Sequence, residues 1–252
     1  MTVLNLNESH LIALKLHGVR EHLARRLKEA DSEKLPYTDF LSLVLHDEVE
    51  HRKQARVLRL TRNAAFRTNA SVEGIDWAAP RGLDKKQVRE LASGRFIEEG
   101  LNVLILGPTG VGKSYLATAI GLAACRQGRA TIFFRMNTLI EKLALARAQN
   151  GYLNLLKRLT AADLIVLDDF GIKPLLPEQY QDFYDILDER MESKATIITT
   201  QLPEQNWSEV IADPVTCEAV TRRICEKAVR IQMRGDAFAR KRQKALTASD
   251  PS

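Results

Sequence analysis

The chain has 252 residues, 45% of them hydrophobic, which is enough for one large α/β domain or a small domain beside a medium one. Its net charge of +5 leans toward polyanionic partners without specifying one. No apolar run approaches the ~20 residues that span a bilayer, no signal-peptide pattern opens the sequence, and Cys125, Cys217 and Cys225 form neither a metal-ligand spacing nor a disulfide framework, so a cytoplasmic protein without membrane association is expected.

Residues 9–30 read as one amphipathic helix, with Ile12, Leu16, Val19, Leu23 and Leu27 at helical spacing and Ser9 as its cap. His10 and His17 lie seven residues apart on it with no third ligand, and are read as ordinary helix residues. After a polar break at Pro36, Tyr37, Phe40, Leu41, Val44 and Leu45 mark a second helix, continuing to about residue 65. No strand signal precedes residue 100, so residues 1–67 are expected to form a small all-helical N-terminal domain. The Gly-, Pro- and Ser-containing run 68–84 reads as a linker, with Trp77 packing against the following domain rather than stacking on a base.

A helix over 85–97 leads into an alternating pattern. Strands are expected at 101–106, 130–136, 164–169, 195–201 and 229–233. Helices are expected between them, at 115–127, 138–160, 178–192 and 215–227. Short apolar strands alternating with helices predict an α/β domain over 85–235, a parallel five-stranded sheet between helices. Residues 236–252 remain as a basic C-terminal tail containing ARKRQK at 239–244.

GPTGVGKS at 107–114 matches G-x-x-x-x-G-K-[ST] in full, with an apolar strand before it and a helix directly after. Gly107, Gly110 and Gly112 let the backbone turn tightly and approach phosphate closely. The amides of the loop and of the helix start then face the anion. The run from Gly107 through Pro108, Thr109, Gly110, Val111, Gly112, Lys113 and Ser114 to Tyr115 is therefore the expected ATP-binding segment. Lys113 brings its charge to the β- and γ-phosphates, and the Ser114 hydroxyl is a ligand for Mg²⁺.

The strand LIVLDD ends in two carboxylates. Beside a phosphate loop, Asp168 is suited to hold Mg²⁺ and Asp169 to polarise an attacking water. ATIITTQLP ends a later strand in polar residues, where Thr200 or Gln201 can report on the γ-phosphate or form an ordinary strand-end cluster. Arg222 and Arg223 on a late helix are either a solvated basic face or a cation for a neighbouring subunit's nucleotide. Between residues 51 and 67 there are six Arg or Lys and no acid. Arg52, Arg56, Arg59 and Arg62 fall within about a third of the helix circumference. Such a stripe is either a solvated face or a set of contacts to successive DNA phosphates that reads no sequence.

From Leu101 to Gly235 the chain resembles the AAA+ ATPases, and most closely the group containing helper ATPases of insertion-sequence transposition and bacterial helicase loaders. The resemblance rests on LNVLILGPTGVGKSYLATAIGLAACRQG, ADLIVLDDFGIKPL, ATIITTQLPEQNWSEVIADP and TCEAVTRRICEKAVRIQMRG. The run Thr199 to Pro203, Trp207, and Asp213-Pro214 is similar to the transposition branch, as is LKLHGVREHLARRL with the long helix after it. The resemblance implies sensor I at Gln201 and an arginine finger at Arg223. Many relatives carry Glu where this chain has Asp169, so slow or partner-stimulated hydrolysis of ATP is expected. Little sequence follows the last strand, and a lid-borne sensor arginine is not expected. The resemblance further implies a homo-oligomer with ATP-bridged subunit interfaces that assembles on double-stranded DNA and delivers it to a transposase. A replicative helicase loader is the alternative.

Overall fold

The computed structural model describes residues 3–235, with side chains from Glu8 onward; the basic run 239–244 lies outside the described residues. The chain divides into two compact units, residues 1–59 and 60–252.

The first unit holds α1 (Val3–Ala13), α2 (His17–Glu33) and most of α3 (Tyr37–Ala64). The single helix expected over 9–30 is thus two helices, and Ser9 lies inside α1 rather than at a cap. Lys15 takes a left-handed φ of 56°, with Leu16 N–H bonded to Leu11 O at 2.8 Å and Lys15 N–H to Ile12 O at 3.0 Å. These paired bonds are a Schellman closure, built here without the usual glycine. The break lets α2 begin hard against α3. A Cβ on Gly18 would stand 2.6 Å from the Asp47 carbonyl oxygen, so the crossing requires glycine.

No side chain of its own caps α2. Instead the Glu48 carboxylate of α3 accepts the amides of Gly18 at 2.8 Å and Val19 at 3.2 Å. Two turns further along α2, Arg26 binds both oxygens of Asp47 at 2.8 Å.

In the second unit, Asp84 accepts the Lys86 amide and caps α4 (Lys85–Ala92). Gly94, at φ 79°, separates α4 from the short α5 (Arg95–Glu98) within the helix expected over 85–97. Then come β1 (Val103–Leu106), α6 (Lys113–Arg126), β2 (Thr131–Arg135), α7 (Met136–Ala148), α8 (Tyr152–Ala161) and β3 (Leu164–Phe170). The helix expected over 138–160 breaks into α7 and α8 at Asn150, φ 56°, where Gly151 N–H closes on Ala146 O at 2.7 Å. The chain continues through α9 (Pro177–Arg190), β4 (Ala195–Thr200), a 3₁₀ turn over Glu204–Glu209, α10 (Pro214–Cys225) and β5 (Val229–Gln232).

The five strands are all parallel, in the order β2-β3-β4-β1-β5. Their side chains alternate between two cores. Leu104, Ile132, Phe134, Ile165, Leu167 and Ile198 face the layer of α7 to α10. Val103, Ile105, Phe133, Val166, Ile197 and Ile231 face the layer of α4 to α6. The segment 68–84 has no regular element, yet Ala70 and Ile75 are buried and Trp77 packs onto the second core.

This order fixes the site. The carboxyl end of β4 lies between those of β1 and β3, so residues after β4 stand between the loop following β1 and the acids ending β3.

Candidate functional site: a phosphate loop facing two carboxylates

The loop 107–112 joins β1 to α6. Gly107 has φ 155°, and a Cβ there would meet the Met233 carbonyl oxygen at 2.6 Å. Its amide is held by Thr200 O at 3.2 Å. Gly112 is left-handed at φ 104°, the turn that opens the N-terminus of α6. The cradle is therefore a backbone shape that side chains would destroy, which is what close approach to phosphate requires.

Lys113 begins α6 and is buried, 6% exposed. Its ammonium donates to Gly107 O at 2.8 Å and Pro108 O at 2.9 Å, lying along the inside of the loop. Burial lowers its pKa, opposed by the charges of Asp169 and Asp168. Tyr115, one helical position after Ser114, directs its hydroxyl away to the backbone of Ser71, with contacts of 3.3 and 3.4 Å to the carbonyl oxygen and amide. It fastens the segment 68–84 to α6.

Asp168 and Asp169 close β3 at an irregularity in the ladder. Leu167 pairs with Ile198 and Phe170 with Thr200, so both acids oppose Thr199 alone. Asp168 is 1% exposed and accepts the Thr199 hydroxyl at 2.6 Å. Asp169 is half-buried with φ 63°, and its amide donates to the same hydroxyl oxygen at 3.0 Å. Its carboxyl pKa is raised by burial and then by the Asp168 charge, against Arg135 and Lys113. Arg135, the last residue of β2, pairs in register with Asp168, and its Nε lies 3.7 Å from Asp169 Oδ2.

Gln201, just past β4, reaches the tip of the phosphate loop, where its amide oxygen accepts the Thr109 hydroxyl at 2.6 Å. Thr200 is committed elsewhere, donating to Phe170 O at 2.8 Å. The structure thus gathers the phosphate loop, Lys113, Asp168, Asp169 and Gln201 at one edge of the sheet. Thr199 and Arg135 join them, and sequence reasoning missed both. Each sits at the end of a strand, but only the strand order reveals what it faces.

Arg223 is not part of this gathering. Asn102, just before β1, donates to its carbonyl at 2.9 Å, which sets it at the opposite edge of the sheet, about 16 Å of strand away. Its guanidinium lies over Tyr184, bonded to that hydroxyl at 2.7 Å and to Asp188 at 2.5 Å. A cleft of about 470 Å³ opens there, lined by Asn102, Glu192, Arg222 and Arg223 among others. Arg223 therefore does not serve the phosphate loop of its own chain. In α3, Arg52, Arg56, Arg59 and Arg62 are all exposed, and Arg52 binds Glu48 at 2.6 Å.

The donor set suits magnesium carried by a nucleotide. Among the described residues no cluster of three or more His, Cys, Asp or Glu offers an all-protein metal cage. A buried carboxylate such as Asp168 and a hydroxyl such as Ser114 would fit a magnesium ion whose remaining ligands came from phosphates and water.

Fold and loop together define a P-loop nucleotide-binding domain of the AAA+ class, preceded by helices. The model of the family described as IstB-like ATP binding protein matches residues 9–247, and the chain belongs to that family. An insertion-sequence ATP-binding protein of Sinorhizobium fredii is 34% identical over 93% of this chain and 96% of its own. The IS21 ATP-binding protein of Pseudomonas aeruginosa is 30% identical over 93% of this chain and 88% of its own. The DnaC helicase loader shares the fold with a TM-score of 0.56 at 23% identity, covering 66% of this chain and 97% of that one. AMPPCP-bound DnaA from Aquifex aeolicus gives a TM-score of 0.58 at 16% identity, covering 75% of this chain and 58% of that one. Among the described residues no helix is long and apolar enough to cross a membrane.

Proposed function

We propose that the protein hydrolyses ATP to ADP and phosphate as a helper of transposition, assembling as an oligomer on duplex DNA and delivering that DNA to a transposase. The observation that carries the ATPase reading is the placement of the glycine cradle with buried Lys113 after β1 and of Asp168 and Asp169 at the end of β3, on either side of the carboxyl end of β4. The loop amides and Lys113 would orient the β- and γ-phosphates. Ser114 and Asp168 would hold Mg²⁺, which when bound neutralises charge on those phosphates. Asp169, with its raised pKa, would accept the proton of the attacking water, and Gln201 at the loop tip would orient that water.

Arg223 would act in trans, on the nucleotide of an adjoining subunit, because it stands at the far edge of its own sheet. For that the guanidinium would have to leave Asp188 and Tyr184. DNA contact is supported by the exposed arginines of α3, and transposition by the insertion-sequence names of the relatives. The likeness to the helicase loader is one of fold alone.

Phosphate release from ATP, measured with and without duplex DNA, tests the reading together with the salt dependence of DNA binding. DNA should stimulate turnover, and log Kd should rise steeply with log salt, the slope falling by about 0.9 for Arg59→Ala. Turnover indifferent to DNA, with a slope unchanged in Arg59→Ala, would remove the DNA-dependent part of the proposal.

A further inference from the structure

We propose that Thr199 is a positioning residue for the nucleotide site, a single hydroxyl that sets both strand-end carboxylates by donating to Asp168 and accepting the main chain of Asp169. The inference rests on the reading of Asp168 as the magnesium-holding acid. At the irregularity in the β3–β4 ladder, Asp168 and Asp169 share one partner on β4, so one β3 amide loses its carbonyl. Thr199 Oγ1 takes that amide, from Asp169, at 3.0 Å. It gives its own proton to Asp168 Oδ1 at 2.6 Å. A hydroxyl can do both at once, whereas an amine donor or a carbonyl acceptor cannot.

Three features make this contact more than packing. Thr199 is 0% exposed, so no solvent can replace the hydroxyl if it is removed. Asp169 sits at φ 63°, a left-handed turn that breaks the strand conformation, and the Thr199 bond is at that residue's own amide. Finally, Gln201 lies two residues further along and touches Thr109 of the phosphate loop. The end of β4 is therefore one rigid piece that sets the acids with Thr199 and meets the loop with Gln201. Without the hydroxyl, Asp168 keeps its place in the strand but loses the donor that fixes its rotamer, and Asp169 loses the bond that holds its turn.

The test uses the full chain with Thr199→Val, which keeps the shape and removes the hydroxyl, and Thr199→Ser, which keeps the hydroxyl. Equilibrium binding of ATP is measured in magnesium and in EDTA, alongside kcat, KM and hydrogen exchange at the Asp169 amide without nucleotide. In EDTA, affinity should agree within about 2-fold for all three proteins. The tightening produced by magnesium should fall about 10-fold in Thr199→Val and stay within about 3-fold of wild type in Thr199→Ser. In Thr199→Val, kcat should fall about 10- to 100-fold with KM little changed, and the Asp169 amide should exchange at least about 10-fold faster.

Should Thr199→Val melt below the assay temperature, Thr199→Ala removes the same hydroxyl and is read by the same outcomes. A folded hydroxyl-free variant with wild-type magnesium coupling and wild-type Asp169 exchange overturns the assignment of Thr199. A wild type whose affinity is the same in magnesium and EDTA overturns instead the reading of Asp168 on which it rests.

Discussion

Asp169 joins a left-handed backbone, φ 63°, to a half-buried carboxyl whose pKa is raised by burial and by Asp168. Asparagine tolerates the same backbone and has the same size, so Asp169→Asn isolates the carboxylate from the fold. Turnover of ATP should fall at least about 100-fold while nucleotide affinity stays within about 3-fold, as loss of a general base predicts. Steady-state kinetics and equilibrium binding check this, and a variant with wild-type kcat would show that another group handles the water's proton. The position of the two acids was legible in the sequence, because an apolar run ending in Asp-Asp reads as a buried strand with its polar residues at the tip. Arg135 and Thr199 were not. Each is a polar residue ending a buried strand, and its meaning depends on which strand lies beside it.

At the scale of elements, several residues on which the resemblance to the transposition branch rests have structural roles. Trp207 is fully buried, 0% exposed, with its ring centroid 4.7 Å from Phe170 and its Nε1–H donated to Leu202 O. It pins the exit of β4 against the residue that follows Asp169. Trp207→Ala should cost about 3–5 kcal/mol, read as a lower denaturant midpoint. A loss below about 1 kcal/mol would mean that the turn is held by other contacts. Asp213 caps α10 through the Thr216 amide, and Pro214 fits the first helical position.

In the first unit, the Asp47 carboxyl is held below its ordinary range by the bonds from Arg26. A carboxylate depressed in the folded state adds stability above its unfolded pKa of about 3.9, and that contribution is lost as pH falls through the lower, folded value. The helices of residues 17–52 should therefore be less stable at pH 3 than at pH 6, and the fall should be smaller in Arg26→Met, which lacks the donor. Thermal melts followed by helix signal check this, and equal falls in both proteins would contradict it.

Helix breaks were legible unevenly for a physical reason. Asn150-Gly151 is a recognisable stop within 138–160, whereas Lys15 is a poor left-handed residue that only the bonds to Leu11 and Ile12 and the crossing at Gly18 explain.

For the whole molecule, alternation of apolar strands and helices sufficed to foresee five parallel strands, because burial on both faces demands near-continuous apolar runs. It did not disclose the order β2-β3-β4-β1-β5, since periodicity reports which face a side chain takes and not which strand is its neighbour. That order sets β4 between the loop and the acids, brings Gln201 to Thr109, and leaves Arg223 at the far edge. It also accounts for the burial of Lys113 opposite two carboxylates, an arrangement suited to receive phosphate and magnesium together.

Titration calorimetry of the intact wild-type chain with ATP and magnesium, beside Lys113→Ala, tests that arrangement most directly. Saturable heat at one site per chain, weakened at least about 100-fold in the variant, is the predicted result. An absence of heat from the wild type, or equal binding by the two proteins, would contradict it.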